Sequence, residues 1–136
     1  MKVVVDTNVL VSGIFFGGVP GRLLAAWRDG KVTMVVSPPV LDEYHRVGAL
    51  LRTRYDAADL EPVLALIAVH ADVVEAPTLP ERLCDDPDDD KFMTCALAGG
   101  ATIVVSGDRG LRRVSGWNGI EVMTPRAFVD RYLQSS

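Results

Sequence analysis

Val3-Val4-Val5-Asp6 is the stretch on which the reading of the fold turns: three β-branched residues in succession, ending abruptly on an acid. A short continuous apolar run of this kind suits a strand buried on both faces, as parallel sheets require, rather than the alternating strand of a sheet with one wet side. Outward from it, Val32 to Val36 repeats the pattern, and Thr102 to Val105, Asp72 to Glu75 and Ile120 to Met123 complete a set of five expected strands. Helical segments separate them. After a glycine-rich loop, Gly21 to Trp27 has helical spacing of apolar residues and stops at Gly30, which suits the left-handed end of a helix. Ser37-Pro38 pairs a cap residue with a first-turn proline, and Val40, Leu41, Tyr44 and Val47 follow as an apolar stripe. A further helix is expected from Ala57 to about Val69, then an irregular stretch around Pro77 and Pro80. Asp86-Pro87 opens a helix that ends at Gly99-Gly100, a brief helix surrounds Leu111, and Thr124-Pro125 starts the last one. Strict alternation of strand and helix predicts an α/β fold with a parallel sheet covered by helices on both faces.

The chain has 136 residues, the size of one domain, so residues 1–136 are read as a single unit. Hydrophobic residues make up 49% and charged residues 24%, which excludes disordered, collagen-like and membrane classes. No apolar run approaches the ~20 residues of a membrane helix, and Asp6 and Asn8 interrupt the apolar start as a secretory leader would not allow. A cytoplasmic location without membrane attachment is the expectation. Cys84 and Cys95 are too few and too far apart for a disulfide framework or a zinc site, and are read as reduced thiols near the core. The net charge of -4 is the wrong sign for holding nucleic acid by bulk electrostatics, so any phosphate contact must be local.

In open parallel sheets ligands bind beyond the carboxyl ends of the strands. Asp6 closes the first strand and Asp108 the fourth, while Glu43 and Asp90 sit early enough in their helices to reach the same edge. Four carboxylates there would repel, at ~4 Å and an effective dielectric near 20 by about 4 kcal/mol per pair before screening, so a cation is required. His45 and His70 are not spaced as a ligand pair, and an all-oxygen set favours Mg²⁺ or Mn²⁺ over zinc. Such a site suits phosphodiester hydrolysis, with Arg109, Arg112 and Arg113 as a local basic patch for backbone phosphates. Asp88 and Asp89 are read as first-turn residues that complement the helix dipole.

Four stretches, Val3 to Ser12, Ser37 to Tyr44, Asp86 to Phe92 and Val104 to Asp108, together with the closing Thr124-Pro125-Arg126-Ala127-Phe128, resemble the PIN domain family, and more narrowly its bacterial toxin-antitoxin members. The resemblance implies a three-layer α/β/α fold and a Mg²⁺- or Mn²⁺-dependent endoribonuclease acting on RNA. It places the family's acids on Asp6, Glu43, Asp90 and Asp108, with Asn8 and Ser106 as polar supports that orient carboxylates or water. It also implies a homodimer and a cognate antitoxin partner. A housekeeping RNA-processing enzyme would carry the same acids, and a non-catalytic module that binds metal and works through a partner is a second alternative. A phosphoacceptor receiver domain fits poorly, since it wants an acid pair after strand one and a lysine after the last strand; here Thr7 follows Asp6, and Thr124-Pro125 follows Met123.

Overall fold

Asp6 does end the first strand of the computed structural model, which describes residues 1–55 and 59–133. That strand, β1 (Lys2–Val5), is the middle of a five-stranded sheet of order β3-β2-β1-β4-β5, with β2 (Thr33–Val36), β3 (Asp72–Val73), β4 (Ile103–Val105) and β5 (Glu121–Met123). Every pairing is parallel: Val3 lies between Met34 and Ile103, and Val105 pairs with both Val5 and Met123. Val3, Val4 and Val5 are fully buried, as are Val104 and Val105 beside them, so the unbroken apolar run is what two covered faces demand. β3 is shorter than expected. It is an exposed edge strand whose pairing extends only to the bond from Val74 N to Val36 O before Pro77 stops it.

The largest departure from the sequence reading is directly after Asp6, where a glycine-rich loop was expected and a helix, α1 (Thr7–Phe15), is found. Its start is a side-chain cap, Asp6 accepting from Val9 N at 2.9 Å, and Val9 and Leu10 supply its buried face. Gly13 lies inside the helix because α2 (Gly18–Arg28) crosses there, and a Cβ would press on Leu24 and the carbonyl of Pro20. The true break is Gly17-Gly18, with φ of 67° and 58°, where α1 and α2 meet at 95°. No single helix among the described residues is long and apolar enough to cross a membrane.

The remaining helices are α3 (Pro38–Arg54), α4 (Glu61–His70), α5 (Asp90–Gly99), α6 (Arg109–Arg112) and α7 (Pro125–Tyr132). The expected start at Ala57 lies outside the described residues. Ser37 stands at the cap of α3, yet its hydroxyl bonds no helix N–H; Pro39, at the second helical position, removes one of the two donors a cap would serve. Helices pack in two groups, α2 with α1 and α7, and α3 with α4 and α5, enclosing the sheet as the three-layer α/β/α arrangement.

Helix α5 packs tightly on the sheet at Gly99, where a Cβ would overlap Val35 Cγ1, on a β-branched side chain with little freedom to turn away. Gly99→Ala is therefore expected to destabilise the fold by about 1–3 kcal/mol through overpacking, despite alanine's better helix propensity. A thermal midpoint equal to or above wild type would contradict this packing.

Candidate active site at the carboxyl edge of the sheet

The chain runs from β1 outward to β2 and β3, then returns to place β4 on the other side of β1. That reversal opens a crevice past the ends of β1 and β4, the usual ligand position in such sheets. Asp6 enters it from β1. Its carboxylate, only 5% exposed, accepts from Val9 N through Oδ1 and from the Ser106 hydroxyl through Oδ2. Ser106 follows β4 and is fully buried; its hydroxyl also accepts from Asp108 N at 3.0 Å, so one side chain ties both acids to the sheet edge. Asp108 Oδ2 in turn caps α6, accepting from Leu111 N at 2.9 Å.

Glu43 is brought in by α3. The next residue, Tyr44, is fully buried and donates its hydroxyl to the carbonyl of Val5, fixing the helix beneath the end of β1. Glu43 then accepts from the Thr7 hydroxyl through Oε2 and from Lys91 Nζ through Oε1 at 2.9 Å, with Arg46 at 3.6 Å. Lys91 also reaches Asp88 at 3.2 Å.

Asp90, one of the four expected acids, is not among the residues lining the crevice: it accepts from Leu83 N at 3.0 Å and Cys84 N at 2.7 Å, closing the loop before its own helix. Asp89, read from the sequence as a dipole residue, instead joins Asp6, Glu43 and Asp108 in the lining of a cleft of about 230 Å³, along with Thr7 and Asn8. The difference arises because α5 is preceded by a 3-10 turn, Pro87–Asp89, whose tighter winding shifts which residue points inward. Asn8 is exposed and lines this cleft and a neighbouring one. Of the arginines, Arg113 pairs with Asp85 at 2.6 Å at the surface, while Arg109 and Arg112, both exposed, follow Asp108 in α6. Thr7, Asp89 and Lys91 were missed from the sequence; the i,i+3 pair of Asp88 and Lys91 was visible there, but nothing local linked it to Glu43, 48 residues away.

The electrostatics follow from burial. Desolvation pushes the Asp6 carboxyl above its ordinary range, the bonds from Ser106 and Val9 pull it back, and Asp108 and Glu43 push it up again. Asp89 is raised from 3.8 to about 6, by burial first and then by Asp108, Asp86, Glu43 and Asp6. Burial also raises Asp90, but the N–H groups of Leu83 and Cys84, the Cys84 thiol and Arg82 outweigh it and leave this carboxyl low. Among the described residues no cation pairs with Asp6, Asp89 or Asp108, whereas Glu43 has Lys91 and Arg46. The donor set is carboxylate and hydroxyl oxygen with no Cys or His in the lining, which fits a hard cation such as Mg²⁺ or Mn²⁺. Among the described residues no three acids are gathered at ligating distances.

A profile of the PIN domain matches residues 2–110, which takes in all four acids. The chain is also similar to "Uncharacterized protein MJ1680" of Methanocaldococcus jannaschii, at 27% identity over 143 residues covering 97% of this chain and 92% of the relative.

Opposite effects on stability are expected from neighbouring substitutions. Asp89 has a folded pKa above its unfolded value, so its charge opposes folding above about pH 6 and metal-free stability rises as the pH falls through that value. Asp89→Asn should therefore stabilise the metal-free protein at pH 7, by about 1 kcal/mol after allowance for partial exposure. Asp90 is lowered, so it favours folding at neutral pH and that contribution is lost only in strong acid; Asp90→Asn should cost about 1–3 kcal/mol through the two orphaned N–H groups. Thermal melts of the two variants at pH 7 and pH 5 check both signs.

Proposed function

The chain belongs to the PIN domain family, whose members are usually nucleases, and from that premise we propose that it is a Mg²⁺- or Mn²⁺-dependent endoribonuclease. The observation that carries the reading is that Asp6, Glu43, Asp89 and Asp108, from four separate segments, line one cleft while three of them lack a cation partner among the described residues. Asp6, Asp89 and Asp108 would hold the ion, with Glu43 beside them. A hard cation there supplies an activated water and neutralises charge on the attacking and leaving oxygens. The chain's own residues do the positioning: Ser106 and Val9 N hold Asp6, Thr7 and Lys91 hold Glu43, and Asn8 offers an amide at the mouth. Arg109 and Arg112, exposed in the turn of helix after Asp108, would meet backbone phosphates, which suits a strand entering an otherwise acidic protein.

The cellular role proposed with this chemistry is that of a toxin held in check by an antitoxin, in a homodimer; its support is the motif resemblance alone. Induced expression distinguishes it from housekeeping RNA processing: a toxin halts growth, and Asp6→Asn relieves the arrest. Sedimentation gives the oligomeric state.

With purified protein and single-stranded RNA, Mn²⁺-dependent cleavage is expected, and Asp6→Asn and Asp89→Asn should each lower it by at least about 100-fold, a loss of roughly 2.7 kcal/mol in transition-state stabilisation. Asp90→Asn should cleave within a few-fold of wild type at a temperature where it is folded. Mn²⁺ at about 100 times its Kd should add about 2.7 kcal/mol of stability, and Asp89→Asn should abolish most of that gain. Loss of cleavage in Asp90→Asn with full activity in Asp89→Asn would reverse the assignment of the fourth acid.

A further inference from the structure

Arg46 is the one cation among the described residues that line the acidic cleft. Glu43, Arg46 and Val47 stand three and four residues apart on α3, so they share a face of that helix and form one wall of the cleft. Arg109, Arg112 and Arg113, the cations singled out in the sequence, are absent from that lining.

The hold of Arg46 on Glu43 is loose. Its Nη2 is 3.6 Å from Glu43 Oε1, beyond hydrogen-bond reach, and its side chain is 60% exposed. Lys91 Nζ bonds the same oxygen at 2.9 Å from a side chain only 16% exposed. Lys91 lines a different cleft, beside Pro39 and Thr94, so it meets Glu43 from outside the acidic one. Two cations thus face one carboxylate oxygen. The buried one satisfies it, and the exposed one stays in the cleft with no closer acid partner among the described residues. An exposed pair of this kind contributes little to stability, so the guanidinium can leave Glu43 at small cost.

A guanidinium presents a planar fork of donors that matches two oxygens of a phosphate. Hydrolysis of a phosphodiester puts the hydroxyl of water on phosphorus and its proton on the leaving oxygen, and a positive group already in place stabilises the charge carried meanwhile on the non-bridging oxygens. We propose that Arg46 binds the non-bridging oxygens of the phosphate that is cut, while Lys91 keeps Glu43 neutralised in its stead. This rests on the nuclease reading above. It is a separate role from that of Arg109 and Arg112, which concerns phosphates outside the lining.

The test compares wild type, Arg46→Met and Arg46→Lys in Mn²⁺-dependent cleavage of single-stranded RNA and, with a chelator present, in binding of the same labelled RNA at several salt concentrations. Arg46→Met should keep the wild-type melting temperature, since Lys91 still pairs with Glu43. It should lower kcat by about 100-fold, the scale for removing one donor from a developing charge. The slope of log Kd against log salt should fall by about 0.7, the share of one phosphate contact on a single strand. Arg46→Lys should keep the slope but recover only part of the rate, because an ammonium lacks the fork. If Arg46 merely orients Glu43, the slope stays at its wild-type value and the loss of rate disappears in a Glu43→Gln background; either result overturns the proposal. Wild type that cuts RNA, with Arg46→Met cutting as fast, overturns it too and leaves the nuclease standing. Wild type that neither binds nor cuts RNA removes the nuclease reading, and this one with it.

Discussion

Burying a carboxylate is costly unless donors surround it, and the centre of this molecule is built around meeting that condition for Asp6. One oxygen accepts from the first turn of α1, which turns a potential loop into a helix; the other accepts from Ser106, which fastens the end of β4 to the end of β1. Because Ser106 also receives the N–H of Asp108, the position of the second acid depends on the first. Tyr44 completes the arrangement from below, its hydroxyl on the Val5 carbonyl setting where α3 lies and therefore where Glu43 emerges. A structural cap and a candidate ligand are here the same carboxylate, so the two readings of an acid that ends a strand do not compete.

Much of this was legible because it is local. Val3-Val4-Val5 announces a doubly buried strand by its composition, and the acid after it marks the carboxyl edge by position alone. The cap-and-proline signals before α5 and α7 also work: Asp86 accepts from Asp88 N and Thr124 from Ala127 N. Failures came where a distant contact overrode a local cue. Gly13 looked like a loop residue, yet its lack of a side chain serves the crossing of α2. Asp89 and Asp90 are indistinguishable in a run of acids until the 3-10 turn sets their directions and the Leu83 and Cys84 N–H groups claim one of them. Lys91 could not be matched to Glu43, since they meet only after α3 and α5 pack.

The charge distribution reconciles an acidic chain with a polyanionic substrate. Within the cleft Glu43 is paired with Lys91 and Arg46, which leaves Asp6, Asp89 and Asp108 as the lining acids without a cation partner among the described residues. The overall charge of -4 thus says little about the surface a nucleic acid would meet. What matters is whether a divalent ion sits among those acids and whether arginines edge the approach, and both are decided within the crevice rather than by the total.

Cys84 gives its backbone N–H to Asp90, and both cysteines are free and buried. Burial first, then the carboxylates around it, pushes the Cys84 thiol up to about 12, and burial pushes Cys95 up to about 11. At physiological pH almost none of either exists as the nucleophilic thiolate. Reagents that need a thiolate therefore meet two buried and almost wholly protonated cysteines in the folded protein.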